Sequence, residues 1–489
     1  RRLDPAGATG GDRRSLTPST RVAIVGAGIG GLAAADRLAR LGRERELPIE
    51  IVVLERADRV GGVLGTEQHQ GSLLERGPDT LVTHKPAAVE LCRQLGLGPR
   101  LVFPPAGRSE VLSAGRLRPI PEGFALLAPT RRWPLLGSSL LTWSGKLRAL
   151  QEPWVPAAEA SAETDESVAS FVRRRFGSEL LERIVEPIVG AIYMADVEHL
   201  SLASTFPRFL ALEREFGSVT RGLRQPRPSG SAATATLSGG LAQIVEALVA
   251  RLPEGALRLR TGVERVTRDG RDFVLQLDGG RSLTATAVLM ATPAPVTAVM
   301  LRDLDATLAA QLREFSYASC ATVHLAWPRV AWPRETVAMP RSHGFFVPRS
   351  TGPGLVAAGF VSVKFPDRVP ADQFVVRTFL GGALHPEVAE LSEPDLAELA
   401  TRSLAPLLGL REPPTWTRVH RHLGSMPQFA VGHLDRVARL RARLAGEPEL
   451  AGLEFAGGPQ GAYGLPDSIA AAAGAAARVV DRIQSAART

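Results

Sequence analysis

An α/β architecture with a Rossmann-like dinucleotide-binding unit is expected for this 489-residue chain on three observations. A short apolar run from Arg21, "RVAIV", leads directly into a glycine cluster and a helix-like tail, "GAGIGGLAAADRLARLG". A second apolar run, "IEIVVLER", follows where the second parallel strand of a βαβ unit belongs. The closing part of the chain repeats the order strand, glycine turn, helix in "LEFAGGPQGAYGLPDSIAAAAGAAARVVDRI".

Between these ends the pattern changes several times. From Pro86 to Glu215 it is helical and mixed, and it includes "LRPIPEGFALLAPTRRWPLLGSSLLTW", which has neither a helical nor a strand period. "RQPRPSGSAATAT" reads as an exposed loop. "LSGGLAQIVEALVARL" then predicts a helix, and "ALRLRTGVERVTRDG", "FVLQLDGG" and "ATAVLMATPA" predict short strands that return to the nucleotide unit. "CATVHLAW", "GLVAAGFVSV" and "QFVVRTFLGG" predict a second sheet. The expected division is a disordered tail over 1–20, one nucleotide domain assembled from 21–85, 234–300 and 411–489, a helical segment over 86–215, a loop over 216–233, and a sheet-rich domain over 301–410.

Composition narrows the class. Hydrophobic residues make up 45% and charged residues 22%, which excludes wholesale disorder and a multi-span membrane protein. The formal net charge is +8, but only Lys85, Lys146 and Lys364 are lysines and the arginines are spread along the chain, so no nucleic-acid partner is expected. Cys92 and Cys320 are too few for a disulfide framework or a cysteine metal site. Both sit in apolar patterns, read as core, and suit a reducing, cytoplasmic compartment. No apolar run approaches the ~18 residues of a membrane span, and no secretory signal precedes the first strand.

The glycines carry the chemistry. Gly26, Gly28 and Gly31 follow a strand and open a helix with the spacing G-x-G-x-x-G. In that spacing the first permits the tight turn, the second lets a pyrophosphate approach the backbone, and the third lets helix lie on strand. The free N–H groups and partial positive charge of the helix N-terminus face the phosphates. Glu55 ends the second strand, where a carboxylate can accept from a ribose diol and disfavours a 2′-phosphate. A second glycine pair, Gly61 and Gly62, and a "GP" at Gly77 and Pro78 give close backbone approach at more points than a nicotinamide domain needs. With Gly457, Gly458 and Gly464 before a helix expected to start near Pro466, they point to FAD as a resident cofactor. If that helix is aimed at the isoalloxazine ring, its dipole would stabilise the anionic reduced form.

With these pieces assembled, the chain resembles the porphyrinogen oxidase family of the amine-oxidase-like FAD flavoproteins over nearly its full length after residue 20. The broader signal is in "VAIVGAGIGGL", "LERADRVGG" and the late "AGG". The narrower one is in "GAIYMADVEHLSLASTFPRFLALEREFGS", "MPQFAVGHLDRV" and "GAYGLPDSI". The resemblance implies an FAD domain, a substrate-binding sheet domain and a helical membrane-associating domain. It implies six-electron, O2-dependent oxidation of protoporphyrinogen IX, with H2O2 as by-product; the alternative substrate is coproporphyrinogen III. Further alternatives are another flavin oxidase acting on amines or carotenoids, and a flavin-free chaperone for prenylated GTPases, against which the intact glycine set argues.

Carried over residue by residue, the resemblance implies that Gly26, Ala27, Gly28, Ile29, Gly30, Gly31, Glu55, Arg56, Gly61, Gly62, Gly77, Pro78, Asp79, Thr80, Val263, Gly457, Tyr463, Gly464 and Leu465 line FAD. Gly190, Ala191, Phe346 and Phe379 would border the tetrapyrrole, and Arg108 would reach a propionate. Arg108 lies one position out of the register in which relatives carry that arginine, with Ser109 in it, and Asp79 stands where some relatives have arginine. The partners implied are a porphyrinogen and O2, with peripheral contact on the inner membrane face, and a homodimer is open. His324, His343, His420, His422 and His433 read as scattered single residues, so no catalytic side chain and no metal ligand is assigned.

Overall fold

The computed structural model describes residues 20–158, 165–225, 234–332, 339–352, 354–457, 464–486 and 488. Val22, Ala23, Ile24 and Val25 of strand β1 (Thr20–Val25) are all buried. An apolar run covered on both faces suits the middle of a parallel sheet. β1 pairs in parallel with β2 (Ile49–Leu54), Val22 opposite Ile51, and on its other side with Ala287–Met290. Leu257–Arg258 and Leu453–Phe455 complete five parallel strands. The opening, middle and closing stretches of the chain therefore build one sheet.

Helix α1 (Ile29–Glu44) joins β1 to β2 and buries Gly31, Leu32, Ala34, Ala35, Leu38 and Leu41. Its alanines let the closing helix, Gly464–Ala486, lie against it through Ala472, Ala475, Ala476 and Val479 in one core. Larger side chains there would overpack, at about 1–3 kcal/mol each. That helix starts at Gly464, so Pro466 is its third residue, still within the first turn where no N–H partner is lost.

The second sheet has seven strands in the order Trp416–Pro427, Tyr317–Pro328, Gln373–Gly381, Leu355–Phe360, Gly344–Phe346, Ser109–Ser113, Arg116–Pro119. Three of its members fall outside the stretch expected to form it. Ser109–Ser113 and Arg116–Pro119 come from the segment expected to be helical, and Trp416–Pro427 from the segment given to the nucleotide domain. The reason is visible at Val111 and Leu112. Both are buried, yet Val111 joins the core of the helical region and Leu112 that of the sheet, as alternate strand residues facing opposite layers must. Val361–Lys364, expected to extend a strand, is a helical turn.

The helical region packs Val168–Phe176, Glu186–Tyr193 and Pro207–Phe216 around Phe171, Phe176, Ile184, Val189 and Val219. A π-type turn at Leu181–Val185 precedes Pro187, whose missing N–H interrupts the regular ladder. The aperiodic Pro-rich stretch resolves into a two-residue antiparallel pairing, Phe124–Ala125 with Ala128–Pro129, followed by short helices Arg132–Leu136 and Trp143–Leu150. Of the expected loop, Val219–Leu223 is a helical turn, Thr234–Leu237 just beyond it is a strand, and 226–233 lie outside the described residues.

Candidate active site

The first glycine turn has the geometry its spacing requires. Gly26 has φ +104°, a conformation open to glycine. A Cβ on Gly31 would run into the carbonyl oxygen of Gly26, and one on Gly30 into that of Ala456, so helix, strand and closing segment touch at their backbones. Gly28 is different. A Cβ there meets nothing within 4 Å, although its neighbours Ala27 and Ile29 are buried. The turn is tight on one side and open on the side of the α1 N-terminus.

Around this opening the second glycine pair docks. Gly61 donates its N–H to Ala27 O at 2.8 Å and forms a parallel bridge with Gly28, and Gly62 would carry its Cβ 3.4 Å from the Gly28 Cα. Glu55 accepts from the Ala27 N–H on one oxygen (2.8 Å) and from the Ala57 N–H on the other (2.9 Å), which fixes the carboxylate while leaving lone pairs on both oxygens. Arg56 is exposed beside Gly262, and the 260–263 segment returns here, Thr261 N–H bonding Glu55 O at 2.8 Å, which brings Val263 to the same edge. Arg59 was not foreseen. Its guanidinium donates to Gly62 O at 2.6 Å, a cation at the lip of the glycine opening, its pKa lowered by burial and by Arg76.

On the closing side, Gly457 and Gly464 likewise present a Cβ direction with nothing within 4 Å among the described residues. Leu465 is buried in the core that holds α1. Asp467, in the first turn of the closing helix, pairs with Lys85 at 2.6 Å and ties that helix to the segment after the "GP". Tyr463 and Gly458 lie outside the described residues.

Gly77, Pro78, Asp79 and Thr80 form the seam with the seven-stranded sheet. The Arg76 carbonyl accepts from Thr322 Oγ1 (3.3 Å), Arg377 (3.0 Å) and His422 Nε2 (2.9 Å). Arg377 also donates to Gly77 O at 2.6 Å, and its guanidinium lies 4.7 Å from the Phe379 ring centre. Lys364 donates to both oxygens of Asp79 at 2.9 Å. Sequence reasoning missed Lys364 and Arg377. A rare lysine beside a Phe-Pro and an arginine inside an apolar strand were the available signals.

The expected substrate residues divide into separate groups. Gly190 and Ala191 line an open recess together with Glu186, Met194, Arg349 and His385. Burial lifts the Glu186 carboxyl to about 7, against the opposing pull of Arg349. Phe379 shares a strand with Gly381, which lines that recess, while Phe346 packs against the helical core. Arg108 stands apart. It is exposed at the start of its strand, held only through its carbonyl by the His343 N–H at 2.8 Å, and is not among the residues lining the recess.

Three of the five histidines come together, while His343 and His433 stand apart. His324 and His420 meet edge to face at 5.7 Å on paired strands, His420 lies 3.1 Å from Glu67, and His422 holds the Arg76 carbonyl. Burial is the main cause that lowers the pKa of all three, helped by Arg377, and at His420 it prevails against Glu67. Cys92 and Cys320 are buried, and burial pushes both thiols up to about 11, which leaves them inert. Among the described residues no cluster suits a metal ion, and no helix is long and apolar enough to cross a membrane.

Comparison with known proteins agrees with this layout. Residues 29–480 match the family of flavin-containing amine oxidoreductases. The coproporphyrinogen III oxidase of Bacillus subtilis (strain 168) is 33% identical, over 92% of this chain and 95% of its own. The chloroplastic protoporphyrinogen oxidase of Nicotiana tabacum is 29% identical, over 86% of this chain and 78% of its own. A crystal structure from Exiguobacterium sp. 255-15, named provisionally as a protoporphyrinogen oxidase, superposes with a TM-score of 0.83 at 28% identity, covering 94% of this chain and 99% of that one.

Proposed function

The chain belongs to the flavin-containing amine oxidoreductases, within their porphyrinogen oxidases, and from that premise we propose that it oxidises coproporphyrinogen III to coproporphyrin III. Its cofactor is FAD. Six electrons would leave the macrocycle in three two-electron cycles, with O2 as acceptor and H2O2 formed. The observation that carries the choice of substrate is the run of coproporphyrinogen III oxidases, at 27–33% identity, that match 92–96% of the chain. It reverses the order implied by the motifs alone, which put protoporphyrinogen IX first. The plant protoporphyrinogen oxidases, at 29% over 86–88% of the chain, leave that substrate as the second reading.

The residues present fit FAD. Gly28, Gly457 and Gly464, from the two ends of the chain, each leave the space a Cβ would fill, as an elongated dinucleotide lying between them requires. The α1 N-terminus and the Gly28 backbone would hold the pyrophosphate, with Arg59 adding a cation. The free lone pairs of Glu55 would accept from the ribose diol, and Gly61 and Gly62 would border the same chain of atoms. FAD, when bound, supplies two-electron acceptance and return of the electrons to O2. The protein's part is to exclude water, orient the macrocycle and anchor its carboxylates. Phe379 would offer an aromatic face to the tetrapyrrole, and Gly190 and Ala191 would leave room beside it.

A peripheral membrane contact is proposed with the same reading. Trp133, Trp143 and Trp154 lie on three successive short helical elements of the region where the resemblance places it, and all three are exposed.

The decisive experiment mixes FAD-loaded protein, in air, with coproporphyrinogen III or protoporphyrinogen IX prepared under nitrogen, and follows porphyrin fluorescence against a protein-free control. Faster oxidation of coproporphyrinogen III is expected. Preference for protoporphyrinogen IX would restore the second reading, and turnover of neither would overturn both.

A further inference from the structure

Asp79, expected among the residues that line FAD and placed in the seam, carries a carboxylate whose acceptor capacity its contacts leave partly unused. It follows the Gly77 and Pro78 backbone expected to line FAD, and its carboxylate meets Lys364, at the end of the helical turn that precedes the strand carrying Phe379. Lys364 reaches both its oxygens at 2.9 Å and Thr80 Oγ1 reaches Oδ1 at 3.2 Å. An ionised carboxylate offers about four acceptor positions, so capacity remains on Oδ2. The side chain keeps 25% of its surface open although it sits at the seam between two layers. Burial opposes its ionisation, and the charges of Lys364 and Arg377 overcome this and hold the carboxyl below its ordinary range. An anion is thus maintained where the segment expected to line FAD meets Lys364 and Arg377, the latter against the Phe379 ring.

The substrate class supplies a matching donor. A porphyrinogen has tetrahedral bridge carbons, so its four pyrrole rings tilt freely and their N–H groups, which donate only, can converge on one face. A carboxylate facing that convergence receives several charge-assisted hydrogen bonds at once. The oxidised product is flat, with two N–H groups turned into its own ring plane, and offers no such receptor. We propose that Asp79, held by Lys364, is the acceptor that binds the converged pyrrole N–H groups of the reduced macrocycle and so selects substrate over product. The proposal rests on the porphyrinogen reading above.

The competing role is an interdomain strut, and three variants separate the two: Asp79→Asn, Lys364→Met and the double variant. Each is purified with FAD, and its FAD content and thermal midpoint establish folding. Kinetics are measured with coproporphyrinogen III across pH, and coproporphyrin III binding by fluorescence quenching. The charged and titratable groups facing Asp79 are Lys364, Arg377, Glu75 and His343.

Asp79→Asn and the double variant are expected to lose kcat/KM by on the order of 10–100-fold, the worth of hydrogen bonds to a charged group, while porphyrin affinity stays within about twofold. Lys364→Met keeps the carboxylate but removes its main counter-charge, so an acid limb of kcat/KM should move up in pH. That limb should be absent from the double variant, which shares His343 and Glu75. Recovery of wild-type kcat/KM in the double variant, equal loss of porphyrin and porphyrinogen binding, or an unmoved limb would each make Asp79 a strut and overturn the proposal. Wild-type protein inert toward both porphyrinogens would instead overturn the reading beneath it.

Discussion

At the scale of single residues, the two glycines of the first turn that look alike in sequence should behave oppositely. Gly31→Val forces a side chain into the Gly26 carbonyl and should yield misfolded protein. Gly28→Val places its methyls in open space, so the apoprotein should fold with an unchanged thermal midpoint, yet FAD would be excluded. The check is the ratio of flavin to protein absorbance, expected to fall at least ~10-fold, and full yellow holoenzyme would move the pyrophosphate elsewhere. Gly26, Gly28, Gly31 and Glu55 were legible because each is needed for a local backbone reason that spacing records. Arg59, Lys364 and Arg377 were not. Each acquires its role from a partner distant in sequence, Lys364 from Asp79, or from a backbone carbonyl that a loop happens to present. Arg108, implied as an anchor by the resemblance although out of register, is exposed just before its strand and away from the recess that holds Gly190 and Ala191.

At the scale of elements, the helical region is held by charges that no pattern in the sequence announces. Glu152 is fully buried and accepts from Ser218 Oγ (2.7 Å), Thr220 Oγ1 (2.5 Å) and the Val219 N–H (2.9 Å), and it pairs with the fully buried Arg175, which also meets Glu213. Arg175→Ala leaves the buried Glu152 without its cation, while Glu213 keeps Arg174, and should cost about 3–5 kcal/mol in chemical denaturation, whereas Arg131→Ala, which breaks an exposed pair with Glu122, should change stability by less than about 1 kcal/mol. The Trp416–Pro427 strand sets a pH dependence. His420 and His422, with His433 just beyond it, are held neutral by burial down to about 4, against 6.5 ordinarily. Between those values the unfolded chain binds protons that the fold refuses, so stability is full above pH 6.5 and is lost as pH falls towards 4. Glu186 acts in the other sense, because a carboxyl raised to about 7 stabilises the fold below 4.5 and loses that contribution as pH rises through 7. Three groups outweigh one, so the urea midpoint should be lower at pH 5 than at pH 7, and a flat or reversed profile would contradict the buried neutral state. The strand itself was given to the wrong layer, since "WTRVHRHLGSMP" has no apolar alternation to mark it as sheet.

At the scale of the whole molecule, the α/β architecture was readable because a parallel sheet needs continuous apolar strands, and those at both ends of the chain and in its middle stand out. Where the second sheet draws its edge strands was not readable, because Val111 and Leu112 serve two cores at once. The exposed face of the helical region carries the remaining expectation. Trp133, Trp143 and Trp154 are 82%, 67% and 73% exposed, and Leu147 beside them is 57% exposed, a grouping that water disfavours and a lipid interface accepts. Arg131, Arg132 and Arg224 line a shallow recess beside the same helices, and burial together with Arg132 lowers the pKa of Arg224 against the opposing pull of Glu152. Each basic residue near an anionic leaflet contributes about 1 kcal/mol, screened by salt. The holoenzyme should therefore sediment with vesicles containing anionic lipid at low ionic strength, and much less with zwitterionic ones. Trp133→Ser with Trp154→Ser should weaken binding by at least ~10-fold while leaving porphyrinogen oxidation in solution intact, since neither side chain approaches the flavin opening. Equal recovery of wild type and double variant in the pellet would remove this face from the membrane and leave the three tryptophans to another partner.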